Sequence, residues 1–300
     1  MLHILNGDAV VPIFRKSAIP GDLAIWRELH CQGPTTYSIG MQDFRTIREK
    51  FLEEYLDLPY GFYGDNTNSQ LNKIRTSLSD EVTLWFEYDL FCQINMMVAI
   101  NFLIQIRPSV TIFLINVGQT YGNPQWYTLG QLNAQEWRDN YRTKKLLDKS
   151  AINFMQSAWN IYCSADHRAF ESIMHECPSV FKYFPLTIEN HYRRFPSSLD
   201  NLTDIQRYIF ENLTERSYRS ERDVLRGLIQ DFHFYGYGDL QYKAILRSLS
   251  HFIEFEPDQG YRLKRKFTGK IENGEVSKLP EMIYGGQSNK EHFLEDFITL

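Results

Sequence analysis

The chain has 300 residues, of which 43% are apolar and 15% aromatic, and this excludes a disordered or low-complexity protein. Its formal net charge of −5 excludes a protein that binds polyanions through bulk positive charge. The N-terminal residues do not resemble a signal peptide, no apolar run is long enough to span a bilayer, and the four cysteines form no C-x-x-C pair. We therefore expect a cytoplasmic protein with no membrane partner.

The first part of the chain alternates between strand and helix patterns. Apolar runs predict strands at residues 2–5, 23–26, 82–86 and 110–117. Helical spacing of apolar residues predicts helices at residues 42–55, 71–78 and 90–106. Strands that alternate with helices indicate a mainly parallel sheet with helices on its faces. We expect a Rossmann-like α/β domain over residues 1–125.

The rest of the chain has a different pattern. Residues 126–200 predict a helical connecting region packed on the sheet domain, with helices at 131–147, 151–162 and 169–176. Residues 201–300 predict three helices, at 203–213, 221–230 and 239–249, followed by two short strands at 252–255 and 261–264. Residues 257–260 (PDQG) have turn chemistry and join these strands. Three helices followed by a hairpin indicate a winged-helix-like domain.

Polar residues follow three of the predicted strands. These residues are Asn6, Gly7 and Asp8 after the first strand, Arg27 and Glu28 after the second, and Glu87 and Asp89 after the third. Gln93 lies one helical turn beyond Asp89. Ligands of open α/β sheets bind beyond the carboxyl ends of the strands. We therefore predict that these residues bind a small polar or nucleotide-like ligand.

The chemistry of these side chains leaves two interpretations open. Asp8, Glu87 and Asp89 are candidate ligands for Mg²⁺ or Mn²⁺, Arg27 is a candidate anion contact, and hydrolysis or group transfer suits the set better than redox chemistry. Alternatively, Asp8 and Asp89 each precede a predicted helix, where aspartate is a common N-cap. The sequence has no G-x-G-x-x-G, Walker A, G-x-S-x-G or H-E-x-x-H motif.

Two motifs carry a family resemblance. The segments HILNGD, IPGD, WRE and GP, at residues 3–8, 19–22, 26–28 and 33–34, resemble the opening of the bacterial family catalogued as domain of unknown function 1835. The segment LWFEYDLFCQ at residues 84–93 resembles the second motif of that family, which more usually has His at the position of Tyr88 and Asp at that of Cys92. The resemblance covers residues 1–125, and the remainder resembles the helical and winged-helix-like region often found downstream. It implies that the strand-end residues belong to a family motif.

A second hypothesis places the function in the winged-helix-like domain, as a nucleic-acid-binding or protein-docking regulator. Its basic candidates are Lys243 and Arg247 on the third helix and Arg262, Lys264, Arg265 and Lys266 on the hairpin. Residues 201–300 nevertheless hold 14 basic and 16 acidic side chains. This balance is unusual for a DNA-binding domain.

Overall fold

The computed structural model describes residues 1–119, 125–215, 218, 220–256, 260–264, 267 and 281–297. The chain divides into two compact units. The first contains Met1–Thr187 together with Tyr284–Gly286, and the second contains Ile188–Ile283 with Gln287–Leu300.

The first unit contains a five-stranded sheet. Its strands in chain order are β1 (Leu2–Asn6), β2 (Asp22–Trp26), β3 (Gly33–Pro34), β4 (Glu81–Glu87), β5 (Thr111–Val117) and β6 (Lys145–Leu146). All except β3 belong to this sheet, in the order β2-β1-β4-β5-β6. In this sheet β2, β1, β4 and β5 pair in parallel, whereas β6 pairs antiparallel to β5 at the edge. The mainly parallel α/β sheet predicted from the alternating pattern is confirmed.

Helices connect and cover these strands. They are α1 (Val11–Lys16), α2 (Gln42–Leu56), α3 (Ser69–Thr76), α4 (Leu90–Ile106), α5 (Ala134–Arg142), α6 (Lys149–Cys163), α7 (Phe170–Met174) and α8 (Phe184–Tyr192). The helix predicted at residues 90–106 has those bounds. Every residue from Leu90 to Leu103 except Phe91 is buried. This agrees with its sequence, since a helix that is apolar on all sides must lie inside a protein.

Aromatic side chains fill the space between β4 and α5. The rings of Trp85 and Trp137 lie 4.6 Å apart, and both belong to a buried cluster with Leu5, Ile115 and Val117. This confirms that Trp137 packs on the sheet. It also holds α5 beside the carboxyl end of β5, where the candidate site lies.

The predicted helix at residues 131–147 is wrong at both ends. Asn133 caps α5 and exchanges hydrogen bonds with Glu136, so the helix begins later than expected. It ends at Arg142, and residues 145–146 form β6 because the chain there extends beside β5. Pairing with a strand edge distant in sequence overrides the helical spacing of these residues. The sequence analysis also missed α8.

The second unit has three helices followed by an antiparallel hairpin. The helices are α9 (Asp204–Glu215), α10 (Glu221–Asp231) and α11 (Asp239–Ser248), and the strands are β7 (Ile253–Glu256) and β8 (Gly260–Leu263). This matches the predicted order of elements. The predicted turn falls largely on residues 257–259, outside the described residues. Two short strands follow, β9 (Ile283–Gly285) and β10 (Gln287–Ser288).

Residues 284–286 belong to the first unit and lie close to the backbone at the end of α6. Gly33 and Pro34 of β3 pair with Tyr284 and Gly285, and Gly286 N donates to Tyr162 O at 2.9 Å. A Cβ atom at residue 286 would lie 2.3 Å from the carbonyl oxygens at the end of α6. Only glycine fits there.

Within the described residues, we find no helix that combines the length and the apolar character needed to cross a membrane.

We predict that Gly286→Ala lowers the free energy of unfolding by about 1–3 kcal/mol, because its methyl group would overlap backbone oxygens that cannot move independently. Urea denaturation measures this change. Gly64→Ala is the control, since a Cβ at residue 64 has no atom within 4 Å. Equal stabilities of the two variants would contradict the close approach.

Candidate functional site

Parallel pairing brings several strand ends to one edge of the sheet. Asn6 ends β1, Glu87 ends β4, and Asn116 is the last but one residue of β5. Side chains at this edge of an open α/β sheet line the usual ligand-binding crevice. The residues that were predicted to converge there nevertheless divide into groups with very different surroundings.

The first group is a carboxylate–thiol cluster formed by Glu87, Asp89 and Cys92. Each offers one potential metal-ligating atom, and these atoms all lie within 4.8 Å of one another. Asp89 is the N-cap of α4, and its Oδ1 accepts a hydrogen bond from Cys92 N at 2.8 Å. Side chains of an α-helix tilt toward its N-terminus, so the thiol of Cys92 lies close to the N-cap residue Asp89. Capping and metal binding are therefore compatible roles for Asp89.

Burial makes the negative charges of the cluster costly. It raises the pKa of Glu87 to about 8, assisted by the charge of Asp89 and opposed by a hydrogen bond from Leu129 N at 2.7 Å. Burial also raises the pKa of Asp89 to about 6, opposed by hydrogen bonds from the first turn of α4. Neither carboxylate has an ion pair with Lys, Arg or His among the described residues. A proton or a cation must therefore compensate the pair near neutral pH.

Cys92 is held in place from the neighbouring strand. Asn6 Nδ2 donates to its Sγ at 2.9 Å, and Asn95 Nδ2 donates to Asn6 Oδ1 at 3.0 Å. Burial and the two nearby carboxylates raise the pKa of the Cys92 thiol. Because thiols bind metals as thiolates, a metal at this position would have to displace the proton.

A pair of amides connects the cluster to β5. Gln93 Nε2 donates to Glu87 O and, at 2.9 Å, to Asn116 Oδ1. The remaining atoms of the two amides, Gln93 Oε1 and Asn116 Nδ2, are buried without a hydrogen-bond partner in the part of the chain that the structure describes. Buried polar atoms normally have partners, so this pair has one acceptor and one donor to offer.

Two cavities of about 520 and 560 Å³ lie beside this pair and share Asn116, Asn140 and Lys182 in their linings. We call them together the β5 cavity. They lie between the carboxyl half of β5, α5, the start of β6, and residues 179–182. Val117 also lines one of them and is paired in register with Glu87. The β5 cavity is thus next to the carboxylate–thiol cluster.

Asp8 and Arg27 form a separate exposed pair. Arg27 Nε and Nη2 each donate to a carboxylate oxygen of Asp8 at 2.8 Å. Asp8 is not a member of the cluster of metal-ligating groups found among the described residues. It does not cap α1 either, whose N-cap is Val10 and lacks a side-chain hydrogen bond. Gly7 has a φ of +100°, which favours glycine where the chain turns out of β1.

Glu28 lies in the interior and is bound by protein groups. Its carboxylate accepts hydrogen bonds from Arg48 Nη2 at 3.1 Å, from Leu29 N at 2.9 Å and from the Tyr63 hydroxyl. Burial favours the protonated form, but the charge of Arg48 and these hydrogen bonds hold the pKa of Glu28 below its usual value. Glu28, a predicted ligand contact, therefore lies in the core and is bound by other groups of the protein.

Three residues of this edge were not assigned a role from the sequence. Cys92 could have been found from its spacing, since the third residue after an N-cap faces the cap. Asn116 could have been found as the single amide that interrupts an apolar strand. Asn95 gave no signal. Tyr88, which like Cys92 differs from the residue usual in the family motif, packs its ring 4.4 Å from that of Trp126.

The basic residues of the second unit are mostly engaged with protein acceptors. Lys243 pairs with Glu221 at 3.4 Å, Arg262 pairs with Glu254 at 3.1 Å and with Glu256, and Lys264 Nζ donates to Ser250 O at 2.8 Å. Arg247 is an exposed residue of α11. Arg265 and Lys266 lie outside the described residues. The nucleic-acid hypothesis stays a prediction.

We predict that Arg48→Met lowers the free energy of unfolding by about 3–5 kcal/mol, because it leaves the charge of Glu28 buried without its cationic partner. Arg27→Met is the matched control and removes the exposed pair with Asp8, which contributes less than about 1 kcal/mol. Urea denaturation compares the two. A loss of similar size in both would mean that Glu28 has no special structural role.

We also predict a pH effect in the metal-free protein. Because the pKa of Glu87 rises from 4.5 to about 8 on folding, its protonated form stabilises the fold at low pH, and this stabilisation disappears as the pH rises through that range. Relative to Glu87→Gln, the wild-type free energy of unfolding should fall by roughly 2–4 kcal/mol from about pH 5 to about pH 8. Denaturation with a chelator present measures the difference. Parallel pH profiles would show that Glu87 is not perturbed.

Comparison of the chain with known protein families and with curated protein sequences finds no match. The resemblance to domain of unknown function 1835 stays a prediction from the sequence, and the geometry of the site has to carry the functional argument.

Proposed function

We propose that the carboxyl edge of the Rossmann-like sheet binds a small polar ligand together with a divalent cation held by Glu87, Asp89 and Cys92. The observation that carries this proposal is the carboxylate–thiol cluster itself. Three ligating atoms lie there within 4.8 Å of one another, on the buried Asp89 and Cys92 and the half-buried Glu87, without a compensating protein cation in the described part of the chain. Perturbed carboxyl groups at a strand-end crevice are typical of functional sites.

A bound cation supplies what the cluster lacks. Two buried carboxylates repel each other, and a protein that evolved only for stability would replace one of them or add an arginine. A divalent ion compensates both charges at once. The family resemblance agrees with this interpretation, because it includes both carboxylates in its second motif.

The donor set also bears on which ion binds. Mg²⁺ and Mn²⁺ prefer oxygen ligands, whereas Zn²⁺ binds both carboxylates and thiolates. Cys92 therefore favours Zn²⁺ over the Mg²⁺ or Mn²⁺ that the two carboxylates alone would suit. Three protein ligands leave at least one coordination position open, as in catalytic rather than structural zinc sites.

Such a centre supports hydrolysis or group transfer. A divalent ion with an open position polarises a ligand oxygen or lowers the pKa of a bound water. The chain itself contributes the amide pair of Gln93 and Asn116 for orienting the ligand, and the half-buried surroundings exclude bulk water. We place Asp8 and Arg27 at the rim of this site, as a pair that a ligand anion would have to open.

For the second unit we retain a winged-helix-like architecture as a proposal. The order of three helices and a hairpin supports it. The acidic partners of Lys243 and Arg262 favour protein docking over nucleic-acid binding, because these cations already have their charge compensated within the described residues.

Isothermal titration with Zn²⁺, Mn²⁺ and Mg²⁺ tests the proposed centre. We expect the wild type to bind Zn²⁺ more tightly than Mn²⁺ or Mg²⁺. Glu87→Gln, Asp89→Asn and Cys92→Ser should each weaken binding by about a hundredfold or more, since even supporting residues contribute about 10- to 100-fold. Asparagine is also a good N-cap, so Asp89→Asn keeps the start of α4.

Asp8→Asn is the matched control, as it removes a carboxylate at the same edge but outside the cluster. Titration in two buffers of different ionisation enthalpy should show proton release from the thiol and from Glu87. Wild-type affinity in all three cluster variants, or an equal loss in Asp8→Asn, would refute the assignment.

A further inference from the structure

The charges around the β5 cavity are unequally available. Its acidic lining residues are Glu136 and Asp139, and both are engaged: Glu136 accepts from the backbone N–H of Asn133 at 2.7 Å, and Asp139 pairs with Arg142 at 2.9 Å. Its basic lining residues are Lys145 and Lys182. Both are exposed, neither has an acidic partner among the described residues, and Lys182 Nζ donates to Gln119 O at 3.4 Å. Because Arg142 compensates Asp139, the charged side chains at the cavity are positive on balance.

The available hydrogen-bonding group on the wall of the β5 cavity is also a donor. Asn116 lines both cavities, and its Nδ2 is buried without a partner within the described residues. Exchanging the O and N atoms of this amide would not remove the problem, because its Oδ1 is the acceptor for Gln93 Nε2 at 2.9 Å. A ligand oxygen that reached Nδ2 would supply the acceptor that this buried donor lacks. A donor beside two lysines favours an anion.

The same amide pair leads from the cavity to the carboxylate–thiol cluster. Gln93 contacts both Asn116 Oδ1 and Glu87 O, and Val117 on the cavity wall is the register partner of Glu87. An anion in the cavity and a cation in the cluster would lie on the two sides of this one pair.

We propose that the β5 cavity binds the phosphoryl group of a small phosphate monoester, with Lys182 and Asn116 as its contacts and Lys145 as a supporting charge. This inference rests on the proposed function and specifies the ligand class of that site. A phosphate monoester carries a charge of about −1.5 to −2 near neutral pH and three acceptor oxygens. It matches two lysines, one amide donor and a neighbouring divalent cation better than a singly charged carboxylate does.

The test measures binding of inorganic phosphate and of phenyl phosphate by isothermal titration, with malonate as the carboxylate comparison. Each ligand is titrated with and without the cation that binds the wild type most tightly. We expect both phosphate probes to bind more tightly than malonate. Lys182→Gln and Asn116→Asp should each weaken phosphate binding by about 10- to 100-fold, as expected for the loss of a hydrogen bond to a charged group.

Lys73→Gln is the control, because Lys73 is an exposed lysine of α3 that does not line the cavity. It should bind phosphate like the wild type, and circular dichroism establishes that all variants are folded. Absence of phosphate binding by the wild type, unchanged binding in folded Lys182→Gln, or tighter binding of malonate would each overturn the phosphate proposal.

The cation titration separates this proposal from the one on which it rests. Lys182→Gln should keep the wild-type affinity for Zn²⁺ or Mn²⁺, and Glu87→Gln should lose it. Cation binding without phosphate binding would overturn the ligand class alone. Phosphate binding that depends on Lys182, in a protein that binds no cation at the cluster, would overturn the metal centre and leave the phosphate site.

Discussion

The turn from β4 into α4 is the constraint on which the rest of the first unit depends. β4 is paired on both sides, and α4 is buried over most of its length, so the two residues between them, Tyr88 and Asp89, have almost no freedom to move. Asp89 caps the helix, which satisfies backbone N–H groups that would otherwise be buried without partners. The same requirement carries Glu87 and Cys92 to the carboxylate of Asp89. The capping of α4 by Asp89 therefore brings the residues of the carboxylate–thiol cluster together.

This arrangement brings two carboxylates that repel each other to the end of β4. Glu28, which is also buried, is matched by Arg48 and by hydrogen bonds from its neighbours, and its pKa stays below the usual value. Glu87 and Asp89 have no such cation within the described residues, and their pKa values rise. The contrast between these two sites of one unit distinguishes a structural ion pair from a pair of carboxylates that has no compensating charge among the described residues. Stability alone would not retain the second arrangement.

Beside the β5 cavity, hydrogen-bonding groups rather than charges lack partners within the described residues. A hydrogen bond joins the amides of Gln93 and Asn116, but the other polar atom of each amide has no partner among the described residues. Helix α5 forms one wall of the cavity and is held there by Trp137 against Trp85. Asp139 of α5 pairs with Arg142, so the lysines at the cavity outweigh the remaining acidic charge of Glu136. Packing on the sheet therefore decides what the neighbouring cavity can bind.

The sequence by itself determined the mainly parallel sheet, the bounds of α4 and the element order of the second unit, because periodicity and composition encode local structure and burial. It also identified Glu87, Asp89 and Gln93, since residues after a buried strand must reach the same sheet edge. It did not distinguish Glu28 from Glu87, because two carboxylates that follow predicted strands look alike until the tertiary structure supplies Arg48 to one of them. It likewise did not reveal β6, whose residues have helical spacing and form a strand only because the edge of β5 is beside them. Pairing between residues distant in the chain is the part of the site that only the folded structure could decide.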